Sequence, residues 1–153
     1  MAEFHFPLAS VMRFRERIKQ EKQWELRLLN EERHVLEEEI HRLEQELLQT
    51  EASTAVEEGT ICTAMELRFR GDYARVLARR IPDKRNSLAM LEQKLAAKRD
   101  ELVEAMRSVK ILEQLRSRLE EKFRHDLDIA DQKLRDEIGL RKFIGPDKGQ
   151  DLP

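Results

Sequence analysis

The chain has 153 residues, of which 39% are charged, 40% hydrophobic and only 5% aromatic. Few Gly (5) and Pro (4) beside abundant Glu, Arg and Leu are typical of long helices, and so few aromatics argue against a deep globular core. The formal net charge of −2 lacks the basic excess of a nucleic-acid binder, and the single cysteine, Cys62, excludes an internal disulfide and a paired-thiol zinc site.

The sequence also lacks the marks of a membrane or secreted protein. No window approaches the roughly 18 consecutive apolar residues of a membrane-spanning helix. The opening Met-Ala-Glu-Phe-His-Phe-Pro has neither the charged start nor the apolar run of a secretory signal. We therefore expect a cytosolic protein without direct membrane insertion.

The first predicted helix covers about residues 8–55, with Pro7 at its first turn. Its a/d heptad stripe has alternating spacings of three and four: Leu26, Leu29, Arg33, Leu36, Ile40, Leu43 and Leu47. A four-residue stutter between Lys22 and Leu26 would extend the stripe backwards through Ile18, Arg15, Val11 and Leu8.

A connector and a short second helix, at about residues 60–81, are predicted next. Ser53, Thr54 and Gly59-Thr60 interrupt the first helix, and Thr63 with Glu66 has the spacing of a capping box. Ile81-Pro82-Asp83 predicts the next boundary, because proline disfavours helix before it and suits the first helical position.

The last predicted helix covers about residues 83–143 and repeats the heptad stripe. The stripe consists of Leu88, Leu91, Leu95, Lys98, Leu102, Ala105, Val109, Leu112, Arg116, Leu119 and Phe123. Beyond it, Leu127, Ala130, Leu134 and Ile138 have a longer period, and Ile144-Gly145-Pro146 ends the helix. Residues 144–153 are expected to be a disordered tail.

These elements predict an all-α fold: one coiled-coil domain over residues 1–143, a long antiparallel two-helix hairpin with the short helix at its connecting tip. Charge favours the antiparallel choice. Residues 31–58 carry ten Glu against two Arg, whereas residues 67–85 carry seven basic residues against two Asp. A hairpin brings the two blocks together.

The candidate sites have competing interpretations. The basic run from Arg68 to Arg85 either binds an acidic partner or phosphate, or only matches the Glu-rich helix beside it. His34 and His41 share a helix face, but a metal site needs more ligands, and no cofactor is expected. Neither a phosphate-binding loop nor a catalytic motif occurs, and two packed helices offer no enclosed pocket, so we expect no enzymatic activity.

A second apolar stripe lies beside the first seam. Phe14, Trp24, Leu28 and Val35 fall on this adjoining face, and Trp24 is the only tryptophan. Apolar anchors on the outside of a coiled coil suggest a partner surface. The alternative is packing against the seam or against Phe4 and Phe6, and both interpretations stay open.

The two ends of the chain carry distinctive patterns. The opening reads Phe4-x-Phe6-x-Leu8-x-x-Val11-Met12-Arg13-x-Arg15-Glu16, and the closing patterns are Leu112-Glu113-x-Leu115 and Asp131-Gln132-Lys133-x-x-Asp136-Glu137. Together they resemble the FliJ family of soluble flagellar export proteins over nearly the whole chain. Asp131 departs from the family pattern, in which Glu is commoner at this place.

The resemblance implies a coiled-coil stalk of a rotary-type ATPase. A FliJ-like protein is expected to insert its terminal end into the hexameric export ATPase and to promote the assembly and activity of that ring. It is also expected to contact the export gate membrane protein and the substrate chaperones, which would associate it peripherally with the inner membrane. The matching positions are Phe4, Phe6, Leu8, Arg13, Arg15, Gln132, Lys133, Asp136 and Glu137; Trp24 and Leu28 complete the expected partner-binding residues.

Three alternatives remain open from the sequence. The equivalent stalk of a virulence type III secretion system has the same shape but less of the aromatic opening. A generic coiled-coil adaptor predicts an intermolecular seam. A nucleic-acid-binding hairpin using residues 68–85 predicts affinity that collapses with salt.

Overall fold

The computed structural model describes residues 2–55 and 61–145. In these residues the regular secondary structure consists of two α-helices, and there is no β-strand. Helix α1 is Ala9–Thr54 (46 residues) and helix α2 is Ala64–Phe143 (80 residues). The chain divides into two compact units. We call Arg17–Met106 the middle unit, and Met1–Glu16 with Arg107–Pro153 the terminal unit.

In the middle unit α1 and α2 pack antiparallel. Residues later in α1 contact residues earlier in α2. Glu25 pairs with Lys98, Glu39 pairs with Lys84, and the Ser53 carbonyl accepts a hydrogen bond from Arg70. This confirms the packing of two long helices that the heptad pattern predicts. The described residues of the two charge blocks, 31–55 and 67–85, face each other.

The packed seam follows the predicted heptad positions closely. On α1 all seven positions from Leu26 to Leu47 are buried or half-buried, and Arg33 is among them. On α2 ten of the eleven positions from Leu88 to Phe123 are buried or half-buried, with Arg116 the exception. The backward extension of the α1 stripe is wrong beyond Ile18, since Arg15, Val11 and Leu8 are exposed.

The predicted helix boundary at Pro82 is wrong. Pro82 lies inside α2, so residues 64–81 are the beginning of the long helix and not a separate third helix. Proline removes one backbone hydrogen bond and crowds the preceding turn. Packing outweighs that cost here, because Leu77 and Ile81 on one side of Pro82 are buried against Leu43, and Lys84 on the other side pairs with Glu39.

The predicted capping box exists, but it begins α2. The Thr63 backbone N–H donates to Glu66 Oε2 at 3.2 Å, and the Glu66 N–H donates to Thr63 Oγ1 at 3.3 Å. The two bonds satisfy amides that the first turn of a helix leaves without partners. The hydrogen bond from Thr63 holds the pKa of Glu66 below its ordinary value.

In the terminal unit the opening residues pack on α2. Phe6 is buried, and the Phe4 ring lies 5.8 Å from the Phe123 ring. Every described residue after Phe123, from 124 to 145, is exposed. The predicted disordered tail falls mostly on residues 146–153, which lie outside the described residues. The single domain over residues 1–143 stays a prediction.

Candidate partner-binding surfaces

The aromatic residues of the opening segment are held by packing within the terminal unit. Phe6 is only 6% exposed, and the half-buried Phe4 stacks at a 49° angle on Phe123. The Ala9 N–H donates to the Phe6 carbonyl at 3.2 Å, which joins this segment to the first turn of α1. The two phenylalanines therefore hold the opening segment in place and contribute little to its accessible surface.

The accessible part of the same segment combines apolar side chains, among them Val11 and Phe14, with cationic ones. Leu8 is 36% exposed, and Arg13 and Arg15 are both exposed. The Arg13 Nε donates to the Ala9 carbonyl at 3.4 Å, which directs its guanidinium along the helix. Arg15 lies two residues further along α1, and no ion pair joins it to another described residue.

The last five turns of α2 present an apolar stripe that the rest of the described chain leaves exposed. Leu127, Leu134 and Ile138 lie four, eleven and fifteen residues beyond Phe123, so they continue its helix face. They are 38%, 56% and 47% exposed. A helix that stands alone in this way is marginal in water unless a partner covers its apolar face.

The predicted α2 site residues occupy this exposed section. Gln132, Lys133, Asp136 and Glu137 are all exposed and form two pairs spaced by four residues on neighbouring faces. Gln132 follows Phe123 by nine residues, or ~13 Å along the helix. The structure thus places the predicted site residues of the opening segment and those of α2 in the terminal unit. The aromatic contact between the opening segment and α2 is that of Phe4 with Phe123.

In the middle unit several charged and polar side chains pair across the two helices. Glu39 lies 3.0 Å from Lys84, Glu44 contacts Arg85, and Tyr73 Oη donates to Glu46 at 3.1 Å. The carboxylate beside it raises the pKa of Tyr73. These contacts set the register of two helices more than they add stability, because each of them is accessible to water.

A four-residue network reinforces the same register. Lys22 lies 2.9 Å from Glu101 and Lys98 lies 2.8 Å from Glu25, while each lysine also contacts the glutamate on its own helix. Hydrogen bonds from the lysines lower the pKa of both carboxyl groups, and the carboxylates raise the pKa of both lysines. Lys98 stands on the predicted seam, so the network is a polar layer in the apolar interface.

The second apolar stripe is exposed. Trp24 is 57% exposed, Leu28 46% and Val35 63%. Within the terminal unit, Phe4 packs on Phe123 and Phe6 is buried. Val35 also lines an open groove together with Met90 of α2. Partner binding by this stripe stays a prediction.

Only some side chains of the basic run at the start of α2 contact α1. Arg70, Lys84 and Arg85 contact α1, as the matching interpretation predicts. Arg75 pairs locally with Asp72, whereas Arg68 and Arg79 are exposed. The balance of charge between the helices therefore accounts for only part of this run.

Metal-binding and membrane-spanning features are absent from the described residues. No group of three or more His, Cys, Asp or Glu suited to a metal ion occurs in residues 2–55 and 61–145; His34 lies 3.3 Å from Glu38, its helix neighbour. Across the same ranges, neither helix is apolar enough over sufficient length to cross a bilayer.

Sequence reasoning missed two contributors to these surfaces. Met90 is 63% exposed beside Val35, and it lies off the heptad positions. Glu101 completes the polar layer, and the presence of Lys98 at a seam position was its only signal in the sequence. Which carboxylates Lys98 meets depends on the pairing register, which the heptads alone leave undetermined.

Comparison with known proteins assigns the chain to a family. The family model described as "Flagellar FliJ protein" matches residues 4–148, which is nearly the whole chain and includes both end patterns. Searches of curated proteins and of solved structures each found no match. The match agrees with the all-helical pairing of two long helices. The chain belongs to the FliJ family, whose members are non-catalytic components of the flagellar export apparatus.

Proposed function

We propose that this protein is the stalk of the flagellar export ATPase: it binds the hexamer, promotes its assembly and activity, and links it to the export gate and to substrate chaperones. The observation that carries the proposal is the bare apolar stripe of Leu127, Leu134 and Ile138 on α2. On a protein of only 18.2 kDa, an exposed apolar stripe of this kind indicates a surface that binds another protein.

The surrounding charges suit a polar rim around that stripe. Lys133, Asp136 and Glu137 flank the apolar residues on α2, and Arg13 and Arg15 are exposed on α1 within the same terminal unit. An apolar centre with charged surroundings is the usual anatomy of a protein interface. Phe4 and Phe6 contribute by holding the opening segment on α2, and Leu8 lies at its accessible edge.

The test is a titration into the flagellar export ATPase of the same organism, followed by ATP hydrolysis and by hexamer formation. We expect stimulation by the wild-type chain. A Leu134→Ser and Ile138→Ser variant should lose most of the stimulation, and Arg13→Ala with Arg15→Ala should weaken it. Substitution of the buried Phe6 is unsuitable, because it would disturb the packing of the segment.

A matched control uses exposed residues of the middle unit. Arg99→Ala with Asp100→Ala removes two exposed charges of opposite sign, and we expect it to stimulate like the wild type. Circular dichroism establishes that every variant stays helical. Absence of stimulation by the wild-type chain would contradict the proposal, and an equal loss in the control would remove the stripe as the contact.

The export gate and the chaperones are tested by binding to purified components, because neither contact needs ATP hydrolysis. The virulence-system alternative is tested by the same titration with a virulence export ATPase: stimulation of that enzyme alone would favour it. Peripheral association with the inner membrane follows from the gate contact and should disappear when the gate protein is deleted.

A further inference from the structure

The outer face of α1 in the middle unit combines exposed apolar anchors with unpaired acidic charge. Trp24, Leu28 and Val35 are spaced by four and seven residues, so they share one face over about 16 Å of helix. Each is 46% to 63% exposed, and Val35 adjoins the groove that Met90 lines. Three anchors on one face with an adjacent groove fit a helix laid alongside.

The exposed charge on this part of α1 is predominantly negative. From Glu21 to Glu38 the exposed charged residues are one arginine, Arg27, and five glutamates: Glu21, Glu31, Glu32, Glu37 and Glu38. Glu31 and Glu32 stand between Leu28 and Val35, three or four residues from each, and so border the apolar stripe on both sides.

The glutamates of α1 fall into two groups by their partners. Four of them contact α2: Glu25, Glu39 and Glu44 pair with lysine or arginine across the interface, and Glu46 accepts a hydrogen bond from Tyr73. On the outer face the described residues provide only Arg33 for Glu37, at 3.7 Å, and the histidine His34 for Glu38. Within the described residues Glu31 and Glu32 form no ion pair, although Arg27 lies four residues before Glu31 and Lys94 of α2 lines the same groove as Glu32.

We propose that this face docks an amphipathic helix of another protein, one whose apolar stripe is bordered by lysines or arginines. The anchors supply burial, and Glu31 and Glu32 supply charge complementarity and orientation. The proposal is independent of the export assignment, because it rests on this face alone.

A second copy of the chain is the less suitable occupant. Its exposed Met65, Phe69 and Arg68 on α2 would also complement an acidic apolar stripe. That contact joins two different surfaces, however, and a contact of this kind tends to continue from copy to copy instead of closing as a dimer. A separate basic helix satisfies the same face without polymerisation.

Trp24, the only tryptophan, reports binding directly through its fluorescence. The probe is a tryptophan-free synthetic peptide of roughly 18 residues with leucines on one helical face and lysines on both sides of them. Two matched peptides serve as comparisons, one with glutamates replacing the lysines and one with the same composition scrambled. We expect a saturable blue shift with the first peptide and an affinity about tenfold lower with either of the others.

The decisive variant is Glu31→Lys with Glu32→Lys, which should weaken binding of the lysine peptide by about tenfold and improve binding of the glutamate peptide. Its control is Glu113→Lys with Glu121→Lys, an equal change of net charge at exposed positions in the terminal unit, and it should bind like the wild type.

Three outcomes would overturn the proposal. They are equal binding of the scrambled peptide, an undiminished affinity in the Glu31 and Glu32 variant, or self-association in sedimentation that by itself shifts the Trp24 fluorescence. Since the titration contains no flagellar component, its failure would leave the proposed function standing.

Discussion

Among the described residues, Leu77 and Leu95 are the most buried side chains, each 1% exposed. We expect Leu77→Ala to lower the free energy of unfolding by about 2–5 kcal/mol, because it removes buried methyl groups and leaves a cavity beside Leu43 and Ile81. Urea unfolding followed by circular dichroism measures the loss. Leu48→Ala, at a residue 59% exposed, is the control and should change stability by less than about 0.5 kcal/mol. Similar losses in both variants would show that Leu77 is not a core residue.

The network of Lys22, Glu25, Lys98 and Glu101 predicts a specific pH dependence. The pKa values of Glu25 and Glu101 are lowered from 4.5, so their contribution to stability is complete above that pH and lost as the pH falls through the lowered values. The pKa values of the lysines are raised from 10.5, so their contribution is complete below that pH and lost only above it. We expect Glu25→Gln with Glu101→Gln to flatten the decline of thermal stability below pH 4.5.

Glu113→Gln with Glu121→Gln changes the same number of carboxyl groups at exposed positions and should keep the wild-type decline. About 1 M salt should reduce the difference between the two variants, because the network is accessible to water. A decline of equal steepness in both would assign the acid sensitivity to other carboxyl groups.

At the scale of the helices, Pro82 is the position at which the sequence pattern and the structure disagree. Proline lacks an N–H and leaves one carbonyl of the preceding turn without its helical bond. Because Pro82 is exposed, Pro82→Ala restores that bond without changing the seam, and we expect it to stabilise the protein by about 1–3 kcal/mol. Chemical unfolding measures the gain, with Asp83→Ala as the neighbouring exposed control. Destabilisation would mean that the proline geometry is itself required.

Two glycines inside α2 separate local helix stability from tertiary packing. A β-carbon would meet nothing within 4 Å at either Gly71 or Gly139. Gly71→Ala lies where α2 packs on α1 and should raise the global stability by about 0.5–1 kcal/mol. Gly139→Ala lies in the bare section beyond Phe123, so we expect slower amide exchange there but an unchanged global transition. A global shift from Gly139→Ala would show that this section unfolds together with the seam.

The helices themselves could be predicted from the sequence, because leucines at heptad spacing are typical of helices that pack along an apolar seam. The same pattern located the seam from Leu26 to Leu47 and from Leu88 to Phe123. The continuity of α2 through Pro82 could not be predicted in the same way, since proline usually marks a helix boundary. The burial of Leu77 and Ile81, which depends on tertiary packing, outweighs that local preference. Likewise, which glutamates pair and which stay open depends on register, a property of two helices together.

At the scale of the whole molecule, the seam of the middle unit is satisfied within one chain. We therefore expect a thermal transition whose midpoint does not change over a hundredfold range of protein concentration, as measured by circular dichroism and checked by light scattering. The coiled-coil adaptor alternative predicts an intermolecular seam, for which the midpoint rises with concentration. Such a rise would contradict the intramolecular pairing.

The antiparallel pairing in the middle unit also determines how it responds to force. The connection between α1 and α2 lies beyond Ser53 and Arg70, so the opposite end opens first when the helices are pulled apart. The load then falls on one layer at a time, beginning with Lys22 and Glu101 and moving towards Glu39 and Lys84. Torque about the common axis, by contrast, is shared by every layer at once. We therefore expect the pair to resist twisting about its axis better than it resists peeling from its open end.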